Sequence, residues 1–110
     1  MSTLDTLPET LHSAVLAYMQ STGRDYTSRV AMRSRCEDES RALAYHLDAV
    51  TDEWGDRFAQ RSWVEPAPRD GDELARGHVV CCVVWGLEGE TWAIDLTAAQ
   101  FGDEPGCWLV

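Results

Sequence analysis

A chain of 110 residues is long enough for one hydrophobic core and too short for two. Apolar residues make up 45% of it and five are tryptophan, which argues for a folded domain rather than a disordered segment. The formal net charge is −10, and a field of that sign repels phosphate backbones and anionic lipid, so neither nucleic acid nor a membrane is expected as a partner.

All nine basic residues are arginine; the absence of lysine removes Schiff-base chemistry. No apolar run approaches a membrane span, and "MSTLDTLPETLHSAV" has neither a basic leader nor a continuous apolar stretch. The expected location is the cytoplasm, or delivery by a secretion system that cleaves no signal.

Leu7, Leu11, Val15 and Tyr18 or Met19 recur at helical spacing, with Pro8 tolerated in the first turn and Gly23 as a stop. These predict a helix over about 8–22. "RDYTSRVAMRSR" has no period and reads as a loop with at most a helical turn. Ser34 and Glu37 then form S-x-x-E, a capping-box pattern. Leu43, Leu47, Val50 and Trp54 follow on one face until Gly55, predicting a helix over about 35–54 with Cys36 in its first turn.

"RSWVEP" predicts a strand over 61–65, ended by Pro66, and "APRDGDELARG" a polar loop. "HVVCCVVW" is β-rich on both faces and predicts a covered central strand over 78–85. "GLEG" supplies a turn, "ETWAIDL" a strand over 90–96, "TAAQFG" a helical turn or bend, and "CWLV" a terminal strand over 107–110. Helix, helix, then strands joined by tight turns is an α+β fold, N-terminal helices packed on a small antiparallel sheet.

The four cysteines contain no C-x-x-C, and neighbours in a strand point to opposite faces, so Cys81 and Cys82 neither pair nor share a metal ion. No metal site and no cofactor is expected, and free thiols fit a reducing compartment. A thiol becomes a nucleophile as thiolate, which a helix N-terminus and an adjacent imidazole both favour. Cys36 has the first. Glu37, Asp38 and Glu39 directly after it oppose thiolate formation, which makes an imidazolium partner more necessary.

Of three histidines, His46 lies about 15 Å further along the same helix, and His12 has no polar company. His78 stands at the mouth of the central strand. Its orienting acceptor must be a carboxylate or glutamine, because the chain has no asparagine. Asp95 sits in the adjoining strand within the apolar run "TWAIDL". With an even turn such as Leu87-Glu88, Gly86 faces Gly89, His78 faces Thr97, and His78 and Asp95 become diagonal neighbours roughly 7 Å apart at the backbone. Taken singly, each has a plainer reading: Cys36 as packing, His78 as a hydrated strand end, Asp95 as a cap for "TAAQ". The three in this order are much less probable by accident.

The order resembles the papain-like superfamily in its small bacterial form, as in transglutaminase-like proteins, arylamine N-acetyltransferases, protein-glutaminases and papain-fold domains of bacterial toxins and effectors. "CEDESRALAYHL" is similar to their C-x-x-x-S-x-x-L-A-x-x-L helix, and "WAIDLTAAQF" to their D-x-T-A-x-Q-F strand end. The resemblance implies a papain-like core and a Cys36–His78–Asp95 triad, with Gln100 as a substrate or oxyanion contact beside the Cys36 backbone N–H. It implies acyl transfer from a protein or peptide substrate, as a deamidase, amidase, peptidase or transferase. The alternative is an inactive domain of the same kind, an acidic protein-binding module docking a basic partner. The oligomeric state is not legible.

Overall fold

A computed structural model describes residues 2–54, 59–66, 78–86 and 89–110. Gly55, the polar stretch 67–77 and the Leu87-Glu88 tip, all read from the sequence, lie outside the described residues, as do the side chains of Val50 and Trp54. In chain order the elements are β1 (Ser2–Thr3), a 3-10 turn (Leu4–Thr6), α1 (Glu9–Thr22), α2 (Arg29–Met32), α3 (Cys36–Trp54), β2 (Ala59–Pro66), β3 (Val79–Trp85), β4 (Glu90–Asp95), a second 3-10 turn (Ala98–Phe101) and β5 (Gly106–Leu109).

The five strands form one sheet in the order β1-β5-β4-β3-β2, and every neighbouring pair is antiparallel. This is the α+β class that the element order predicts. In the β3–β4 hairpin Cys81 pairs with Ile94 and Trp85 with Glu90, so the connection contains an even number of residues. The Gly89 N–H donates to the Gly86 carbonyl (3.2 Å), and both glycines take positive φ, a conformation that costs other residues strain. Extending the same register places His78 opposite Thr97.

On α1 the buried residues are Leu11, Ala14, Val15 and Tyr18, the i, i+3, i+4, i+7 stripe of a helix with one face in the core. Gly23 ends it at φ 67°. This stripe meets Leu43 and Leu47 of α3, Met32, and Cys81, Val83 and Ile94 from one face of the sheet. The opposite face carries a smaller cluster, Val80, Cys82 and Ala93, flanked by Trp63 and Trp108. Burial on both faces explains why β3 reads as continuous apolar sequence rather than alternating.

Two local readings need correction. Ser34 does not cap α3: Cys36 is the first helical residue, and the Arg35 carbonyl accepts the Glu39 N–H at 2.9 Å, which makes Arg35 the cap. The chain reverses sharply between α2 and α3, with the Arg35 N–H on the Met32 carbonyl, and Ser34 takes the left-handed φ of 58° that the reversal requires. Its hydroxyl makes no hydrogen bond among the described residues, and Glu37 pairs with Arg41 instead of reaching back. The second correction is β1, which a polar two-residue stretch does not announce; it forms because β5 offers an edge, pairing Ser2 with Cys107 and Thr3 with Gly106. The stretch after α1, which lacks a period, holds the single turn of α2, started by Ser28, whose hydroxyl accepts the Ala31 N–H (3.1 Å).

Candidate active site

Helix α3 runs in the same direction as β3. The Ser40 hydroxyl donates to the Val79 carbonyl (3.3 Å), and one turn on the Ala44 carbonyl accepts from Ser62 (2.9 Å), the β2 partner of Val83. One turn before Ser40, Cys36 therefore lies toward the sheet end where His78 enters β3 and Asp95 leaves β4. Strand alternation sets Asp95, next to Ile94, on the face opposite the one that α3 covers. Topology thus brings His78 and Asp95 together, and among the described residues Cys36 touches neither through a hydrogen bond.

His78 and Asp95 are each 3% exposed. His78 Nε2 lies 2.9 Å from Asp95 Oδ2. A buried carboxylate needs its remaining lone pairs satisfied, and Oδ1 accepts the Thr97 N–H (3.1 Å) and the Thr97 hydroxyl (3.4 Å). Asp95 thus holds the imidazole with one oxygen and the Thr97 N–H with the other; it does not cap the 3-10 turn, whose cap is Thr97 and carries no side-chain cap bond. Because the carboxylate can only accept, Nε2 carries the hydrogen in the neutral ring and Nδ1 keeps its lone pair.

Gln100 completes the surround. Its amide nitrogen lies 3.4 Å from His78 Nδ1 and donates to the Thr97 hydroxyl at 3.1 Å. The Phe101 ring meets the imidazole edge-on, centroids 4.9 Å apart. Arg29 Nε donates to the Gln100 carbonyl (3.2 Å) and so ties α2 to this turn. Thr97, Phe101, Ser40 and Arg29 escape sequence reasoning as site residues. For Thr97 and Phe101 the signal was present, since both stand in the quoted "DLTAAQF".

Cys36 is half-buried, and among the described residues its thiol makes no hydrogen bond, to His78 or to any other group. It opens a helix whose first N–H groups have no intrahelical acceptor and carry partial positive charge. The acidic run behind it is not uniform. Glu37 and Asp38 are exposed, with Glu37 on Arg41 at 2.8 Å, but Glu39 is 2% exposed and engages Arg24.

The other cysteines and His46 have structural roles. All four cysteines are free. Burial pushes the Cys81 thiol far above its ordinary range, and burial followed by Glu65 pushes that of Cys82 up to about 12. Burial also raises Cys107. None of the three is a nucleophile near neutrality. His46 bonds the Ala14 carbonyl (3.1 Å) and packs on Tyr18. Among the described residues no three His, Cys, Asp or Glu side chains converge as a metal centre requires, and no helix is long and apolar enough to cross a membrane.

Comparison with protein-family models, with curated proteins and with solved structures gives no match to this chain.

Proposed function

We propose that the protein is a cysteine-dependent acyl-transfer enzyme with Cys36 as nucleophile, His78 as base and acid, and Asp95 as the group that holds the imidazole, on a papain-like core. The observation that carries this reading is the buried His78–Asp95 pair. Burying two ionisable side chains together is costly, and at the open end of a hairpin apolar residues would serve stability as well. The pair fixes the hydrogen on Nε2 and leaves Nδ1 as the basic nitrogen, at the sheet end toward which the start of α3 lies.

In the reaction Nδ1 takes the thiol proton and the thiolate sulfur attacks a carbonyl carbon, whose π electrons move onto oxygen. The free N–H groups opening α3 receive the oxyanion. Collapse breaks the C–N bond of an amide, and the imidazolium returns its proton to the leaving amine or ammonia. The resulting thioester is cleaved by water, with His78 again as base, to yield a carboxylic acid and the free thiol; an acceptor amine in place of water gives transfer. Gln100 must leave Nδ1 for the first step, and its amide can then turn to the oxyanion. The substrate class is a protein or peptide amide.

A second reading rests on the same contact. Gln100 on Nδ1 suits a domain whose imidazole is permanently occupied, an inactive acidic module that binds a basic partner. The two separate with p-nitrophenyl acetate as acyl donor and intact-mass detection. Acetylation of Cys36 that His78→Ala slows at least tenfold supports the enzyme. Acetylation that ignores both His78→Ala and Cys36→Ala supports the binding module.

A further inference from the structure

Among the described residues the most buried carboxylate of α3 is Glu39, which the sequence presents as one of three consecutive acids behind Cys36. It is fully engaged: Oε1 pairs with Arg24 Nε at 2.5 Å, and Oε2 accepts from the hydroxyls of Tyr18 (2.7 Å) and Tyr26 (2.9 Å). These partners come from α1 and from the segment joining it to α2, so the cluster ties the first turn of α3 to everything that precedes it. Burial, and then the neighbouring Glu39 carboxylate, hold the Tyr18 phenol far above its usual range, which leaves Tyr18 a hydrogen-bond donor at all working pH values.

Glu39 and Cys36 are three residues apart on one helix, a spacing that puts their Cβ atoms about 5–6 Å from each other. An uncompensated carboxylate there, screened little because it is buried, would oppose thiolate formation at Cys36 more strongly than the exposed Glu37 and Asp38 do. Arg24 brings the compensating charge. Its own side chain is 40% exposed, so it remains partly hydrated while its Nε reaches inward.

We propose that Arg24 is a positioning residue for Cys36: by pairing with Glu39 it cancels the carboxylate buried one turn from the thiol and holds the start of α3 in place. The inference rests on the nucleophilic role of Cys36 argued above. The charged and titratable groups around this turn are Tyr18 from α1, Arg24 and Tyr26 from the following segment, Arg35 at the cap, and Glu37, Asp38 and Arg41 from α3 itself. Arg24 is the cation among them that contacts Glu39.

The test is the pH profile of Cys36 alkylation by iodoacetamide, read by peptide mass spectrometry, in Arg24→Met, Arg24→Lys, Glu39→Gln and the Arg24→Met/Glu39→Gln double variant, with circular dichroism to verify folding. Arg24→Met raises the apparent thiol pKa by about one unit, which slows alkylation about tenfold at pH values below the parent midpoint. Arg24→Lys stays close to the parent profile. Glu39→Gln moves the midpoint the other way, and the double variant returns it. A purely structural cluster would move both single variants in one direction. Superimposable profiles for the parent, Arg24→Met and Glu39→Gln overturn the inference, as does a shift of the same sign in the two single variants; should Arg24→Met not fold, Glu39→Gln alone decides by its sign. The nucleophile reading is judged separately, by the parent midpoint itself.

Discussion

His78 Nε2 and Asp95 Oδ2 are 2.9 Å apart at the end of a hairpin, in side chains that solvent hardly reaches. The second Asp95 oxygen is spent on Thr97, so the carboxylate cannot swing away without orphaning a backbone N–H. The pair is therefore fixed in geometry and in tautomer.

Asp95→Asn separates these two functions. The amide oxygen can still accept the Thr97 N–H, but its NH2 then faces Nε2 and drives the imidazole proton to Nδ1. The variant folds with a loss of about 1 kcal/mol, while Cys36 reactivity at neutral pH falls because the base has the wrong tautomer. Asp95→Ala leaves the Thr97 N–H and His78 Nε2 without an acceptor and loses roughly 2–4 kcal/mol in urea unfolding, from one to a few kcal/mol for each orphaned group. Equal stability of the two variants would contradict this division of roles.

Gln100→Ala distinguishes a donor from a plug. Removing the amide frees Nδ1, so iodoacetamide labels Cys36 no more slowly than in the parent. Acyl transfer from p-nitrophenyl acetate falls, by up to about 100-fold if the Gln100 amide supplies an oxyanion donor. A rise in both rates would show that Gln100 only blocks the base.

Ser34→Gly relieves a non-glycine residue at φ 58°. The substitution stabilises the fold by about 0.5–1 kcal/mol, less the added chain entropy of glycine in the unfolded state. Ser34→Val has the opposite sign. Thermal melting of the pair checks both.

Alkaline pH weakens the fold. Cys81, Cys82 and Cys107 keep their protons to higher pH when folded, Cys82 to about 12, because burial disfavours the thiolate. Above the unfolded thiol pKa of about 8.5 the unfolded chain binds fewer protons than the folded one, so stability falls as pH rises from there toward 12 and is flat with respect to these groups below it. At pH 10 Cys81 and Cys82 each account for on the order of 1–2 kcal/mol. Urea midpoints under reducing conditions at pH 8 and pH 10 measure the loss, and Cys82→Val removes its share.

How much of this is legible in the sequence depends on the range of the interaction. The hairpin register rests on local facts, two glycines and an apolar run, and once the turn is even, as it is, it puts His78 and Asp95 on one face. Tight turns carry such information because their geometry is nearly discrete. The site's remaining parts depend on contacts between distant segments. Glu39 reads as one more exposed acid in "CEDES", and only the approach of Tyr18, Tyr26 and Arg24 turns it into a buried anchor. Ser34 matches the capping pattern and does not cap, because the reversal after α2 claims its backbone first. The Gln100 contact with Nδ1 likewise depends on how the 3-10 turn folds back over the strand end.

The central claim is that the His78–Asp95 pair acts on the Cys36 thiol. The most direct measurement is the pH dependence of Cys36 alkylation in the full chain and in His78→Ala. The account predicts a thiol pKa well below 8.5 that His78→Ala raises toward that ordinary value. A pKa near 8.5 in both proteins would contradict it.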